Sequence, residues 1–442
     1  MHRRPFLLAS AAAGASLFLP RLPRFRPVPT PAQLRYQRAE RALFLHFGIN
    51  TFTDREWGDG TESPSLFNPA ALDARQWARV AKQAGFRSLI LTAKHHDGFC
   101  LWPSAVTTHS VASSPWRGGQ GDVVREFTGA CRAEGLGAGL YLSPWDRHEP
   151  SYGDSPRYND FYIAQLTELL TRYGSITEVW FDGANGEGPN GKHQVYDWER
   201  IHRTVRKLQP EAVIFSDAGP DVRWIGNEKG IAGDPNWCTV NPVTVPYPGV
   251  SGPEVDAMLR HGDPAGSVWR PGEADVSIRP GWFWHESENE KVKTADELVD
   301  LYFMSVGRNA NLLLNVPPTR DGLLHDSDVR ALSAFSGRLN AIFGTDLATG
   351  ARVSRSAQGM TLTFPAPVKF GVVDLREAIE QGQTIAGYRV EARSDGRWVA
   401  ISHGTTIGHR KLDRVSPTQA DRVRVVVEEA VGNSVLGRVG IY

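Results

Sequence analysis

The chain is 442 residues long and carries 49 lysines and arginines against 49 aspartates and glutamates, so its formal charge is zero. No like-charge block runs along it, which argues against a nucleic-acid face or a polybasic membrane patch. Three widely spaced cysteines, Cys100, Cys131 and Cys238, exclude a dense disulfide framework and a CxxC metal pattern, and read as buried thiols.

In chain order, the first stretch is MHRRPFLLASAAAGASLFLP, with Arg3 and Arg4 ahead of an Ala-rich apolar run. The run is short for a membrane span and has a positive flank, so residues 1–30 read as a signal peptide with a basic, Pro-rich linker. The paired arginines suit twin-arginine export, which places the mature protein in the periplasm or outside the cell, free of the membrane once the signal is removed. An uncleaved membrane anchor is the competing reading.

Residues 31–344 alternate short apolar strands with amphipathic helices. The strands expected are ALFLHFGI (42–49), SLILTA (88–93), GAGLYLS (137–143), EVWFD (178–182), AVIFSD (212–217) and NLLLNVP (311–317). Continuous apolar runs fit parallel strands covered on both faces. Helix ends are legible: Asp73 precedes one helix and Gly85 follows it, Ser155-Pro156 opens another that Gly174 closes, and Thr294 with Glu297 forms a capping box. The alternation predicts an α/β fold, a (β/α)8-like TIM barrel, rather than a doubly wound sheet. No GxGxxG or Walker A motif opens a helix, which argues against a nucleotide fold. From residue 345 to 442 the pattern changes to period two with turns such as Ser394-Asp395-Gly396, which predicts a C-terminal β-sandwich.

Barrel active sites lie at the C-terminal ends of the strands. There the chain offers His46 and Glu56-Trp57, Lys94-His95-His96-Asp97, Tyr141 with Trp145-Asp146, Asp182, Arg223 with Glu228, and Arg279, Trp282 and Trp284. The 13 tryptophans add a hint of sugar-face stacking, although tryptophan is also a core residue. Adjacent His95 and His96 on an extended segment would face opposite ways, and HExxH spacing is absent, so no metal site is expected. No GxSxG elbow is present, and Cys100 sits in an aromatic run that reads as packing.

Paired carboxylates fit best, as glycoside hydrolysis needs one ionised and one protonated acid. Asp182 ends an apolar strand and is followed by small Gly183, a rigid and approachable position suited to a nucleophile. Glu187 is near in sequence but lies on a Gly-rich loop that reads as solvated. Glu228, with Ile225 and Trp224 close by, has surroundings that can hold a proton near neutrality. Glu56, Asp97, Asp146, Asp217 and Glu286 remain competitors on these grounds.

LFLHFGINTFTDREWGDG, LTAKHHDGFCLWPS, GLYLSPWDR, EVWFDGANGEG and RWIGNE together resemble the α-L-fucosidases of glycoside hydrolase family 29, from about residue 35 to the C-terminus. The resemblance implies an exo-acting retaining enzyme that removes terminal fucose from oligosaccharides or glycoconjugates without a cofactor. It implies Asp182 as nucleophile, Glu228 as acid/base, and His46, Glu56, Trp57, His95, His96, Tyr141 and Arg223 as fucose-binding residues. Trp282 or Trp284 would shape the pocket for the C5 methyl. The GNE segment resembles the branch acting on α-1,3 and α-1,4 linkages. Two other readings stand beside it: a retaining glycosidase for another galacto-configured sugar, and a lectin-like fucose-binding protein without turnover.

Overall fold

The computed structural model describes residues 26–356 and 358–442, so the signal peptide expected at the N-terminus lies, up to residue 25, outside the described residues. Eight parallel strands close into a barrel. They are β1 (Arg41–Leu45), β2 (Ser88–Lys94), β3 (Gly137–Leu142), β4 (Glu178–Trp180), β5 (Val213–Ser216), β6 (Val222–Trp224), β7 (Gly272–Ser277) and β8 (Ala310–Asn315). Each pairs with its neighbours in the chain, and β1 closes the ring on β8 through Leu43 opposite Leu314.

The six expected strands are all present. The other two, β6 and β7, were not anticipated, for physical reasons. β6 is only three residues long and sits inside what read as a loop. β7 is GEADVS, whose Glu273 and Asp275 break the apolar run because they point their carboxyls into the barrel. The expected helix signals operate as read: Asp73 accepts from Arg75 N, and Thr294 and Glu297 cap each other reciprocally.

Period-two alternation decides what each strand sends inward. Phe44, Ile90, Tyr141, Trp180, Phe215, Val222 and Leu313 fill the barrel as one cluster, with the Trp180 and Phe215 rings stacked at 4.2 Å. The interior is therefore a packed plug, as in other TIM barrels. Below it the helix Pro31–Ala39 sends Tyr36 to donate to Glu273 Oε2 (2.7 Å), while Trp180 Nε1 donates to Glu273 Oε1 (2.8 Å). Burial, and then the charge of Glu273, push the Glu178 carboxyl well up, so it holds its proton.

After the helix Asp326–Phe343 the chain forms an antiparallel sheet of six strands. This is the C-terminal β unit that the period-two pattern predicts. Strands Gly359–Glu377 and Lys411–Ala430 run through the whole unit, and register shifts after Thr363 and Phe370 bend them. Bulges of this kind let one sheet curl over its own core, here Phe364, Val373, Tyr388, Val390 and Val423. The sheet docks on the N-terminal end of the barrel strands. Leu412 N donates to Gly307 O just before β8, and Arg410 Nη1 donates to Glu40 Oε2 (2.7 Å) just before β1.

The three cysteines are free and buried, as read. No helix among the described residues is long and apolar enough to cross a membrane. Arg279, expected at the mouth, is instead a buried scaffold residue. Its guanidinium grips both carboxylate oxygens of Asp328 on the last barrel helix, and both side chains are fully buried. Removing one partner strands the other charge, so Asp328→Ala is expected to cost about 3–5 kcal/mol in urea unfolding followed by tryptophan fluorescence. An Arg279→Met/Asp328→Leu pair is expected to recover most of that loss.

Candidate active site

The mouth of the barrel collects the residues that stand just beyond the strand ends. On β4 the inward series is Glu178, Trp180, Asp182, so the alternation that buries Trp180 aims Asp182 into the mouth. Its Oδ2 accepts from Tyr141 OH (3.0 Å) and its Oδ1 from Ala184 N (2.7 Å). These bonds fix the carboxylate at both oxygens. Glycine at 183 leaves room for Asp217, since a Cβ there would lie 2.0 Å from Asp217 Oδ2 and push that side chain aside.

Three histidines line one wall. His46 Nδ1 donates to Asn315 Oδ1 (2.9 Å), while the Asn315 amide donates to Ser277 Oγ and Trp282 O. Burial lowers the His46 pKa to about 3, so the ring is neutral and its Nε2 is an acceptor. His96 follows the same logic. Ser143 Oγ donates to Trp145 O (2.6 Å), so it must accept from His96 Nδ1 (2.7 Å). That leaves His96 Nε2 as an acceptor 4.0 Å from Asp182 Oδ2. Two acceptors facing each other at that distance are suited to a hydroxyl that donates to one of them. His95 stacks on Tyr141 at 5.8 Å, and its Nδ1 is buried without a hydrogen bond.

The expectation that His95 and His96 face opposite ways is overturned: their rings lie 4.1 Å apart. β2 slips register against β3 after Thr92, so alternation ends before these residues. Even so, among the described residues no group of three or more His, Cys, Asp or Glu is arranged to hold a metal ion.

The adjoining wall comes from the loop after β7. Trp282 packs against His46 at 5.1 Å, and its indole N–H points at Glu228 Oε2 (3.4 Å). Glu228 stands at the exposed rim beyond β6, yet partial burial still pushes its carboxyl up, while the Trp282 N–H pulls the other way and the charges of Asp182 and Glu56 add to the rise. Glu56 accepts from Trp282 N (2.8 Å) and Phe283 N (3.1 Å). Trp57 is exposed, edge-on to His96 and Trp145.

Two acids, neutral histidines and a tryptophan wall at a barrel mouth suit the chemistry of glycosides. The α-L-fucosidase family model matches residues 32–239 and 249–341. The chain belongs to the α-L-fucosidase family. Alpha-L-fucosidase 1 of Arabidopsis thaliana is 44% identical over 98% of this chain and 91% of its own. A glycoside hydrolase family 29 member from a rumen bacterium shares 42% identity, covers 94% of this chain and 77% of its own, and superposes with a TM-score of 0.88. A Ruminococcus gnavus family 29 fucosidase, solved with fucose, gives 35% identity over 94% and 95% of the two chains with a TM-score of 0.84.

The fucosidase therefore is a glycoside hydrolase, which sets aside the lectin reading and that of a glycosidase for another sugar. Two of the expected pocket residues lie elsewhere in the fucosidase. Arg223 is on the outward face of β6, because Val222 and Trp224 on either side of it face the barrel. Its guanidinium is buried and donates to Leu259 O (3.0 Å), Arg270 O and Asn236 Oδ1 (2.7 Å), so it braces loops behind the wall. Trp284, two positions beyond Trp282, is buried and donates to Asn289 Oδ1 (3.2 Å). Among the competing acids, Asp146 is paired with buried Lys94 (2.8 Å) and buried Asp97 caps Phe99 N (2.7 Å); both are structural. Glu187 is exposed, as read, while Glu286 is exposed in a short 3-10 turn.

Four residues of the fucosidase site escaped the sequence reading. Phe283 sits edge-on to His46 and His95 at 5.4 and 5.0 Å. Asn315 orients His46, and His285 contacts Glu56. Asp275 accepts from Trp224 Nε1 (2.7 Å) beneath Glu228. Asp217 was only a competitor, yet it lies beside Asp182: burial, and then the Asp182 charge, raise it to about 6, and Gly249 N donates to it.

The Tyr141 bond to Asp182 is charge-assisted, worth about 1.5–3 kcal/mol. Tyr141→Phe is accordingly expected to lower kcat/KM on an aryl α-L-fucoside by about 10- to 100-fold with the fold unchanged. Circular dichroism and steady-state kinetics check both halves.

Proposed function

We propose that the enzyme removes terminal α-L-fucose, one residue at a time, with retention of anomeric configuration, by double displacement. The observation that carries this is the pair formed by Asp182 and Glu228. Asp182 is fixed at both oxygens and aimed into the mouth, and Glu228 stands near enough for the Asp182 charge to raise its pKa. A carboxylate held so firmly suits in-line attack, and a carboxyl with a raised pKa suits proton donation.

In the first step an Asp182 oxygen attacks C1 of fucose. The bond from C1 to the leaving oxygen breaks, and Glu228 delivers its proton to that oxygen. In the second step the Glu228 carboxylate takes a proton from water, whose oxygen attacks C1 and releases Asp182. A retaining site of this kind has its two carboxyls about 5–5.5 Å apart. His46 and His96 each present an acceptor nitrogen for sugar hydroxyls, and Trp282 offers a ring face.

The substrates we propose are α-1,3- and α-1,4-linked fucosides on branched glycans. The likeness of RWIGNE to that branch of the family supports this reading. So does the exposed rim around Glu228 and Trp57, which leaves room for a large aglycone. Export through the twin-arginine route, suggested by residues 1–30, would bring the folded enzyme to such glycans outside the cytoplasm.

Hydrolysis of an aryl α-L-fucoside followed by proton NMR is expected to release α-fucose first; β-fucose first would overturn retention. Asp182→Gly is expected to lose about a thousandfold or more in kcat. Glu228→Ala is expected to lose far more on a fucosyl oligosaccharide than on an activated aryl fucoside, with azide restoring part of the rate as fucosyl azide. Equal losses on both, with no azide rescue, would assign Glu228 a binding role instead.

A further inference from the structure

Beside the mouth, His285 lies between two carboxylates. Its Nδ1 is 2.8 Å from Asp54 Oδ1 and its Nε2 is 2.8 Å from Glu56 Oε1. A neutral imidazole has one N–H and can satisfy only one of these oxygens; an imidazolium satisfies both. The arrangement is therefore built for the protonated ring. Glu56 in turn receives the backbone N–H groups of Trp282 and Phe283, so one carboxylate gathers three donors. The fit is close: a Cβ on Gly281 would lie 2.5 Å from Glu56 Oε1.

We propose that His285 is a positioning residue whose imidazolium clamps Glu56 against the backbone of residues 282–283, and so sets the Trp282 indole against His46 and Glu228. The His285 ring bonds Asp54 and Glu56, and it acts through Glu56 and Trp282. The proposal rests on Glu228 being the acid/base.

The charges facing His285 come from two sides. From the segment after the short helix Ile49–Thr53 come Asp54 and Glu56; behind them Arg320, from the segment after β8, lies 3.8 Å from Asp54. From its own turn comes Glu288, which accepts from Gly281 N (3.2 Å). Burial works against the imidazolium, but the two carboxylates outweigh it and the His285 pKa is raised. The sign follows. As pH rises through that raised value one N–H is lost, one carboxylate faces a lone pair, and the clamp opens. Activity should therefore fall on the alkaline side through His285 as well as through Glu228.

The two contributions separate with an activated aryl α-L-fucoside, whose leaving group needs no proton from Glu228. On that substrate the wild-type enzyme is expected to retain an alkaline fall in kcat/KM. His285→Gln keeps an amide N–H near Glu56 and cannot titrate. It should lose less kcat/KM near pH 6 than His285→Ala does and flatten that fall. His285→Ala should lose about tenfold or more in kcat/KM. Asp54→Asn removes one carboxylate and should move the inflection to lower pH while leaving the Glu56 contact in place.

An unchanged inflection in His285→Gln, or wild-type kcat/KM in His285→Ala, overturns the proposal. If His285→Ala fails to fold, the Gln and Asp54→Asn profiles still decide it. The acid/base reading fails separately, through equal losses of Glu228→Ala on oligosaccharide and activated substrates.

Discussion

A carboxylate at the tip of an apolar strand is tolerated only if its oxygens are taken up, and the active site is arranged around that constraint. Even a partly buried polar group without partners loses stability. Here Tyr141 from β3 and the backbone of Ala184 supply the bonds, so two neighbouring strands and one turn must hold their places for the Asp182 carboxyl to keep its aim. The packed plug of Phe44, Trp180 and Phe215 beneath sets those places. What looks like a local device at one aspartate is thus a demand on the whole barrel interior.

The second wall works by a different principle. Trp282 and Phe283 lie on a loop, where rigidity does not come from strand pairing. Their backbone N–H groups are tied instead to Glu56, and their carbonyl side is tied through Trp282 O to Asn315, which also orients His46. The loop after β7 and the end of β8 are cross-linked by polar side chains, each with its partners satisfied. Such networks rigidify when complete and become liabilities when one member is lost. This explains why the mouth holds several buried polar residues that need never contact the substrate.

Much of the fold was legible because six strands are apolar runs and the helices carry explicit caps. The strands that were missed lack that signature: β7 holds Glu273 and Asp275, and acids on an inward face erase the pattern by which a buried strand is read. The family was legible in motifs, and the two acids those motifs pointed to, Asp182 and Glu228, both stand at the mouth. The faces were harder. Arg223 sits between two inward residues on β6, so alternation alone would have turned it outward once VRW was seen as a strand. His95 and His96 show the converse, since alternation was applied past the point where β2 loses register. Asn315 and His285 had no signal, because their roles depend on partners distant in the chain.

The C-terminal sheet is fastened at Glu40 and Gly307, beneath the starts of the barrel strands and so on the far side from the mouth. Arg410 also pairs with Asp374 of the sheet (2.8 Å), so the joint is ionic on both sides. One outcome of this placement is steric. The contacts at Glu40 and Gly307 lie at the opposite strand ends from Asp182, so that joint does not stand in the way of a glycan still attached to a bulky carrier. An enzyme held to a surface through its C-terminal strand would present its mouth outward and keep working on substrates too large to enter a cleft.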